Sequence, residues 1–210
     1  MGAGPLPVDH RGRRPPIPIV PVDEAARARG ADEQSRWLAG VTGDPSGAAP
    51  RVRTIDAADV DVLHTTLAAR RDTPGMSVGE VALAVDAGRE LAARASAAGI
   101  QVLVATAPSE RDDTAARAVA AALTGGSEHG PLGVLRRLGD ATTAVLCGVA
   151  LGAGEQGLGC VCDGLAALAG AAVAAGIEPD LRPRLAAAQA PADGDAASLA
   201  AHLGLPPVAP

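Results

Sequence analysis

A core without aromatic bulk has to be closed by bringing backbones together. This chain has no Phe and no Tyr, and Trp37 is its only aromatic residue. Its hydrophobic residues amount to 48% of the sequence, a globular proportion, but they are chiefly Ala, Val and Leu. Alanine removes little apolar surface from water per residue, so close helix packing must replace side-chain volume.

The stretch that organises the rest is Ile100 to Gly126, IQVLVATAPSERDDTAARAVAAALTGG. The apolar run Ile100–Ala105 reads as a buried strand, and a polar turn through Pro108 and Ser109 leads into an alanine-rich helix stopped by Gly125-Gly126. Upstream, Ser77 and Glu80 form a capping box, Met76 can staple, and Gly99 ends a helix over Ser77–Gly99. Val78, Val81, Val85, Gly88, Ala92 and Ala95 fall on one stripe of that helix. Downstream, Pro131 opens a helix ending at Leu138-Gly139. Asp140 caps another over Ala141–Leu151, Leu158–Cys162 is a second buried strand, and Leu165–Ala175 is a helix closed by Gly176.

The alternation of helix and strand predicts an α/β fold, a mostly parallel sheet flanked by helices in a Rossmann-like three-layer arrangement. Both strands are expected near its centre. Arg51–Asp56 predicts a short strand and Asp59–His64 another. Asp23–Gly40 is helical but interrupted at Gly30, with Trp37 and Leu38 as its anchor and Gly40 or Gly43 as its stop. A last helix is expected over Ala196–Leu203. Residues 1–21, rich in proline, read as a flexible arm, 22–207 as one domain and 208–210 as a tail.

Charge and composition exclude several functions. A net charge of −6, with no Lys and a single aromatic, argues against nucleic-acid binding. Three cysteines do not make a disulfide framework, and no signal-peptide core follows Arg11, Arg13 and Arg14. Apolar runs are broken well short of about 20 residues, so no membrane span and a cytoplasmic location are expected.

Few residues suggest chemistry. Cys160 and Cys162 share one strand face and could be joined by Cys147, His129 or Asp163 around a metal. Only one ligand pair is present, however, and they read as small buried hydrophobes. His10, His64, His129 and His202 are scattered, and none forms a triad. Asp163-Gly164 follows the second strand where parallel sheets present ligand-binding residues, but Asp163 reads first as an ordinary helix N-cap, and the two roles can coexist. In the loop after the first strand, Ser109, Arg111 and Thr114 could serve a phosphate at the helix N-terminus. Glu110, Asp112 and Asp113 oppose an anion there while favouring the helix dipole. No metal site and no cofactor are expected.

With these elements placed, the chain resembles the nicotinate-nucleotide:dimethylbenzimidazole phosphoribosyltransferases, which make α-ribazole phosphate for cobalamin. The resemblance rests on MSVGEVALAVDAGRELAARASAAGIQVLVATAP with AARAVAAALTG, on PLGVLRRLGDATTAVLCGVALGA, and on CVCDGLAALAGAAVAA. SRWLAGVTG near the start and ADGDAASLAAHLGLPP near the end extend it over Ser35 to Pro207, in the family's order. It implies a phosphoribosyl-transfer ancestry and a homodimer. As ligands it implies nicotinate mononucleotide, dimethylbenzimidazole or α-ribazole phosphate.

The departures are specific. The family's glycine-rich loop is here TAPSERDDT, Thr106 to Thr114, in which only Thr114 matches. Asp163 and Gly164 match the family's Asp-Gly pair, but Ala replaces the Ser/Thr expected after it. The family's Lys has no counterpart. Arg51 to Thr73 is too short for the family's histidine-containing, base-binding section. The chain is expected to lack the final segment carrying the catalytic glutamate, so no catalytic residue can be assigned. These departures predict an impaired homologue that acts as a binding module or as the partner of a full-length homologue. The alternatives are an active transferase with a reorganised site, or a non-binding remnant.

Overall fold

The computed structural model describes residues 24–44, 49–108, 112–189 and 194–208, with side chains described from residue 33 onward. The proline-rich arm lies outside them. Four strands, β1 (Val52–Asp56), β2 (Val102–Thr106), β3 (Gly159–Cys162) and β4 (Leu185–Ala187), form one sheet in the order β1-β2-β3-β4, and every pairing is parallel. The two strands expected at the centre are there.

This order has a mechanical consequence. Successive neighbouring strands joined by crossovers of one hand place all their connecting helices on the same face. Alternate residues of each strand turn towards that face. Ile55, Leu103, Ala105, Cys160, Cys162, Leu185 and Ala187 all join the large core. The opposite face is covered by α1 (Glu24–Thr42), whose Trp37 and Val41 pack with Val102, Val161 and Ala186. The result is three unequal layers. No helix among the described residues is long and apolar enough to cross a membrane.

The helix-rich layer is built around α6 (Ala141–Glu155), buried from Ala141 to Ala153. It lies between α3 (Val78–Ala97) and α7 (Leu165–Ile177), and glycine makes both contacts possible. A Cβ on Gly148 would stand 2.8 Å from the Val85 carbonyl carbon, and one on Gly152 would stand 2.9 Å from the Arg89 Cα. On the other side a Cβ on Gly170 would stand 2.7 Å from the Cys147 backbone nitrogen. Three helix backbones therefore run in direct contact, which answers how a core lacking Phe and Tyr reaches close packing.

The capping box of α3 is formed. Ser77 Oγ accepts from the Glu80 N–H at 3.2 Å, and the Ser77 N–H donates to Glu80 Oε2 at 2.7 Å. That backbone donor, with help from Ser77 Oγ and Arg70, holds the Glu80 carboxyl below its ordinary range. On the predicted stripe Val81, Val85, Gly88, Ala92 and Ala95 are buried, joined by Ala84. Val78 is 73% exposed, because the first helical position turns away from the core.

Other expectations shift. Ile100 is not in β2: its N–H closes the end of α3 on the Ala95 carbonyl, and the strand starts two residues later. Asp59–His64 is not a strand. The Asp56 carboxylate accepts from the Ala58 N–H at 2.8 Å and starts a 3-10 turn, followed by α2 (Asp61–His64). Val60, Leu63 and Leu67 then point inward at helical spacing. Gly30 does not interrupt α1, which runs to Thr42 and stops at Gly43 with φ +68. The remaining helices are α4 (Thr114–Thr124), α5 (Pro131–Leu138) and α8 (Gly194–Leu203). Beyond α8, Pro206 accepts from the Ala187 N–H and Val208 donates to the Ala187 carbonyl, so proline-rich backbone closes the β4 edge.

The glycine contacts make a sharp prediction. Gly148→Ala should lower unfolding free energy by about 3 kcal/mol, because neither flanking backbone can retreat. Gly79→Ala, in the first turn of α3 with nothing within 4 Å of the added carbon, should raise it by about 0.5 kcal/mol. Urea denaturation of the two variants checks the contrast.

Candidate functional site

The carboxyl ends of β2, β3 and β4 and the N-termini of α4, α6 and α7 meet at one edge of the sheet. The strand order never reverses among the described strands, so there is no switch-point crevice of the doubly wound kind. Two hollows form instead between strand ends and helix starts.

The first, about 270 Å³, lies at the ends of β3 and β4. Its floor is apolar, with Cys162, Leu165, Leu168, Ala187 and Ala196, and its polar lining is Asp113, Asp163 and Gln189. The second, about 420 Å³, lies at the ends of β1 and β2, lined by Ala57, Ala58, Arg71, Asp72, Pro108, Asp112 and Thr142. Asp112 and Asp113, adjacent in sequence, face different hollows.

Asp163 and Gly164 are brought into the first hollow. Asp163 is not the helix cap: Gly164 occupies the N-cap position of α7 with φ +84, and no side chain caps that helix. A positive φ of this kind suits glycine. The extra residue between strand and helix leaves the Asp163 side chain in the hollow, while its N–H donates to the Ala105 carbonyl at 2.9 Å.

Thr114 opens α4, and its surroundings are already filled. Both its N–H (2.9 Å) and its hydroxyl (2.6 Å) donate to Asp112 Oδ1. A carboxylate of the protein thus occupies the seat an anion would take at this helix N-terminus. Ser109 and Arg111 lie outside the described residues. At the start of α6 backbone donors are taken up in the same way, while the buried Thr143 hydroxyl has no partner among the described residues. Asp140, fully buried, accepts from the Thr143 N–H at 2.8 Å, and the Arg71 carbonyl accepts from the Thr142 hydroxyl at 2.8 Å and its N–H at 3.3 Å.

Known proteins can be set against this geometry. A phosphoribosyltransferase family model matches residues 127–209, which take in α5 to α8, both last strands and the Asp163-Gly164 turn. A crystal structure of nicotinate-nucleotide-dimethylbenzimidazole phosphoribosyltransferase from Thermus thermophilus is similar in fold. Its TM-score is 0.69 at 22% identity, over 90% of this chain and 84% of that one. A CobT structure from the same organism gives 0.66 at 20% identity, with the same coverage of both chains. These matches fall on the family the sequence resembles. No curated protein matches the chain. The loop carrying Ser109, Arg111 and Thr114 precedes the matched stretch, so of the ligand-binding candidates only Asp163 and Gly164 lie within it.

Sequence reasoning missed Gln189 and the roles of Asp112 and Asp113. The Asp112-x-Thr114 spacing was the available signal, since a carboxylate readily accepts from the N–H two residues on. Gln189 had none, because it follows a three-residue strand, LAA, without alternation.

The cysteines are buried, as read from the sequence. All three are free and buried, and no group of three potential metal ligands occurs among the described residues. Burial pushes the Cys147 thiol up to about 12. Cys162 is also raised, first by its hydrogen bond with Cys160 and then by burial. The Cys147 and Cys162 thiols therefore remain protonated at neutral and mildly alkaline pH, and Cys160 is shielded by burial. Iodoacetamide at pH 8 should leave native protein unlabelled and add three groups in denaturant, counted by intact mass.

Proposed function

We propose that this chain is a homologue of the cobalamin lower-ligand phosphoribosyltransferases that binds an azole base at the ends of β3 and β4 and performs no phosphoribosyl transfer. The observation that carries this reading is the hollow of about 270 Å³ with an apolar floor and two carboxylates in its lining, Asp113 and Asp163, the second of them inside the matched stretch. A flat heteroaromatic ring gains from the apolar floor, and its ring N–H can donate to a carboxylate.

Transfer needs more than a ring. Charge must be stabilised at the anomeric carbon, and the 5′-phosphate of the donor must be cradled while the departing proton is taken. The family cradles phosphate with glycines that let backbone N–H groups approach. TAPSERDDT carries a side chain at every position, and the chain has no Lys. These features support binding without turnover.

The experiment pairs a product assay with a thermal-shift titration. Incubation with nicotinate mononucleotide and dimethylbenzimidazole should give no α-ribazole phosphate above a buffer control. Dimethylbenzimidazole at a hundredfold excess over Kd should stabilise the fold by about 2.7 kcal/mol. Asp163→Asn should weaken that binding about tenfold, the scale of one charge-assisted hydrogen bond. Product formation would refute the loss of catalysis. The absence of any shift, with complex formation on a full-length family member, would assign an interaction role instead.

A further inference from the structure

We propose that the β1 edge of the sheet docks a second copy of this chain, the two β1 strands pairing antiparallel about a two-fold axis near Thr54. The proposal is independent of what the crevice binds. It starts from a difference between the two edges. At β4 the Pro206–Val208 backbone takes up the outward groups of Ala187. At β1 no such cover exists among the described residues. The Arg51 carbonyl accepts from the Val102 N–H, so in the parallel register Val52↔Val102 the N–H groups of Arg53 and Ile55 turn towards β2. Val52 and Thr54 then turn their N–H and C=O groups away from the sheet, where no described residue pairs with them. Both residues are exposed, Val52 to 50%. An edge of this kind is a template for another strand.

Charge order along the edge selects the occupant. From Arg51 to Asp59 the sequence is RVRTIDAAD, basic at its start and acidic at its end. An antiparallel copy sets the basic end of each strand beside the acidic end of the other, whereas a parallel copy would set like beside like. The hollow along this edge, about 320 Å³, is lined by Arg53 and Arg94 together with Asp56 and Asp59, so each copy brings both signs to the contact. These charges are sparsely committed within the chain. Arg94 reaches Glu90 at 3.8 Å in an exposed pair, and one Asp56 oxygen accepts from the Ala58 N–H. Arg53 and Asp59 have no ion pair among the described residues. With the axis near Thr54, each Thr54 lies opposite its own copy, a favourable cross-strand pair. The contact is narrow, so the dimer is weak and depends on concentration.

Sedimentation velocity of the full chain over a concentration series tests this. At low ionic strength it should show a reversible monomer–dimer equilibrium, weakened several-fold in about 0.5 M salt. Residue-resolved amide exchange should show Val52 and Thr54 gaining protection as the dimer forms, with Arg53 and Ile55 protected throughout. Thr54→Pro removes an outward donor and no bond to β2, so it should keep the fold, checked by thermal unfolding, and weaken dimerisation at least about tenfold. Arg53→Glu and Asp59→Arg should each weaken self-association, and a mixture of the two variants should form the mixed dimer, which a merely structural effect of either change would not produce. The mass of one chain at every concentration up to about 1 mM overturns the proposal. So does a dimer indifferent to Thr54→Pro, which must use another surface. Protection of Val52 and Thr54 that does not vary with concentration also overturns it, since the edge would then be covered from within the chain.

Discussion

The contact on which the structure depends is the backbone-to-backbone packing of α6 against α3 and α7. A helix buried along thirteen residues and carrying no aromatic side chain gains its cohesion from proximity. Gly88, Gly148 and Gly152 on one side and Gly170 on the other are where the axes come closest, and any side chain there would strike main-chain atoms. Dispersion attraction falls off steeply with separation, so many short backbone contacts can replace a few large rings. The buried Asp140 cap and the Thr142 hydrogen bonds to Arg71 fix where α6 begins. The helix that sets the core thereby also sets one wall of the crevice.

This coupling explains how a site can change while its scaffold persists. The glycine contacts that hold α3, α6 and α7 together involve none of the described loop residues between Thr106 and Thr114, of which Ala107 packs against the edge of the core. Acidic residues such as Asp112 and Asp113 can therefore stand in that loop with little consequence for the glycine contacts of the core. Asp112 and Asp113 are locally favourable there, since acids at a helix N-terminus complement its dipole. At the start of α4 a single carboxylate, Asp112, accepts from both the N–H and the hydroxyl of Thr114.

The elements legible in the sequence were those with a local signature. The Ser77–Glu80 box, Pro131 at a helix start, Asp140 as a cap and Gly125-Gly126 as a stop each act within one turn of the chain, and each was found where expected. β2 and β3 were visible because central parallel strands read as short apolar runs. β4 was invisible because three residues, LAA, have no pattern, and its existence depends on β3 on one side and the Pro206–Val208 backbone on the other. Asp59–His64 misled because Val60 and Val62 alternate like a strand, while the Asp56 carboxylate commits the backbone to a turn. At the site, Asp163-Gly164 was legible as a pair but not in its division of labour. Only the φ of +84 at Gly164 shows that the glycine caps α7 and frees the aspartate for the hollow.

That division of labour is also why the hollow at β3 and β4 is the better place to look for ligand binding. At α4 and α6 the donors of Thr114, Thr142 and the Thr143 backbone are taken by Asp112, the Arg71 carbonyl and Asp140. At α7 no side chain caps the helix, and Asp163 and Gln189 reach the same space from two adjacent strand ends. Donor and acceptor capacity therefore lies open between β3 and β4, while those donors at α4 and α6 are in use. A ligand that needs only a ring seat and an acceptor finds both between β3 and β4, whereas an anion drawn to the Thr114 donors would have to displace Asp112.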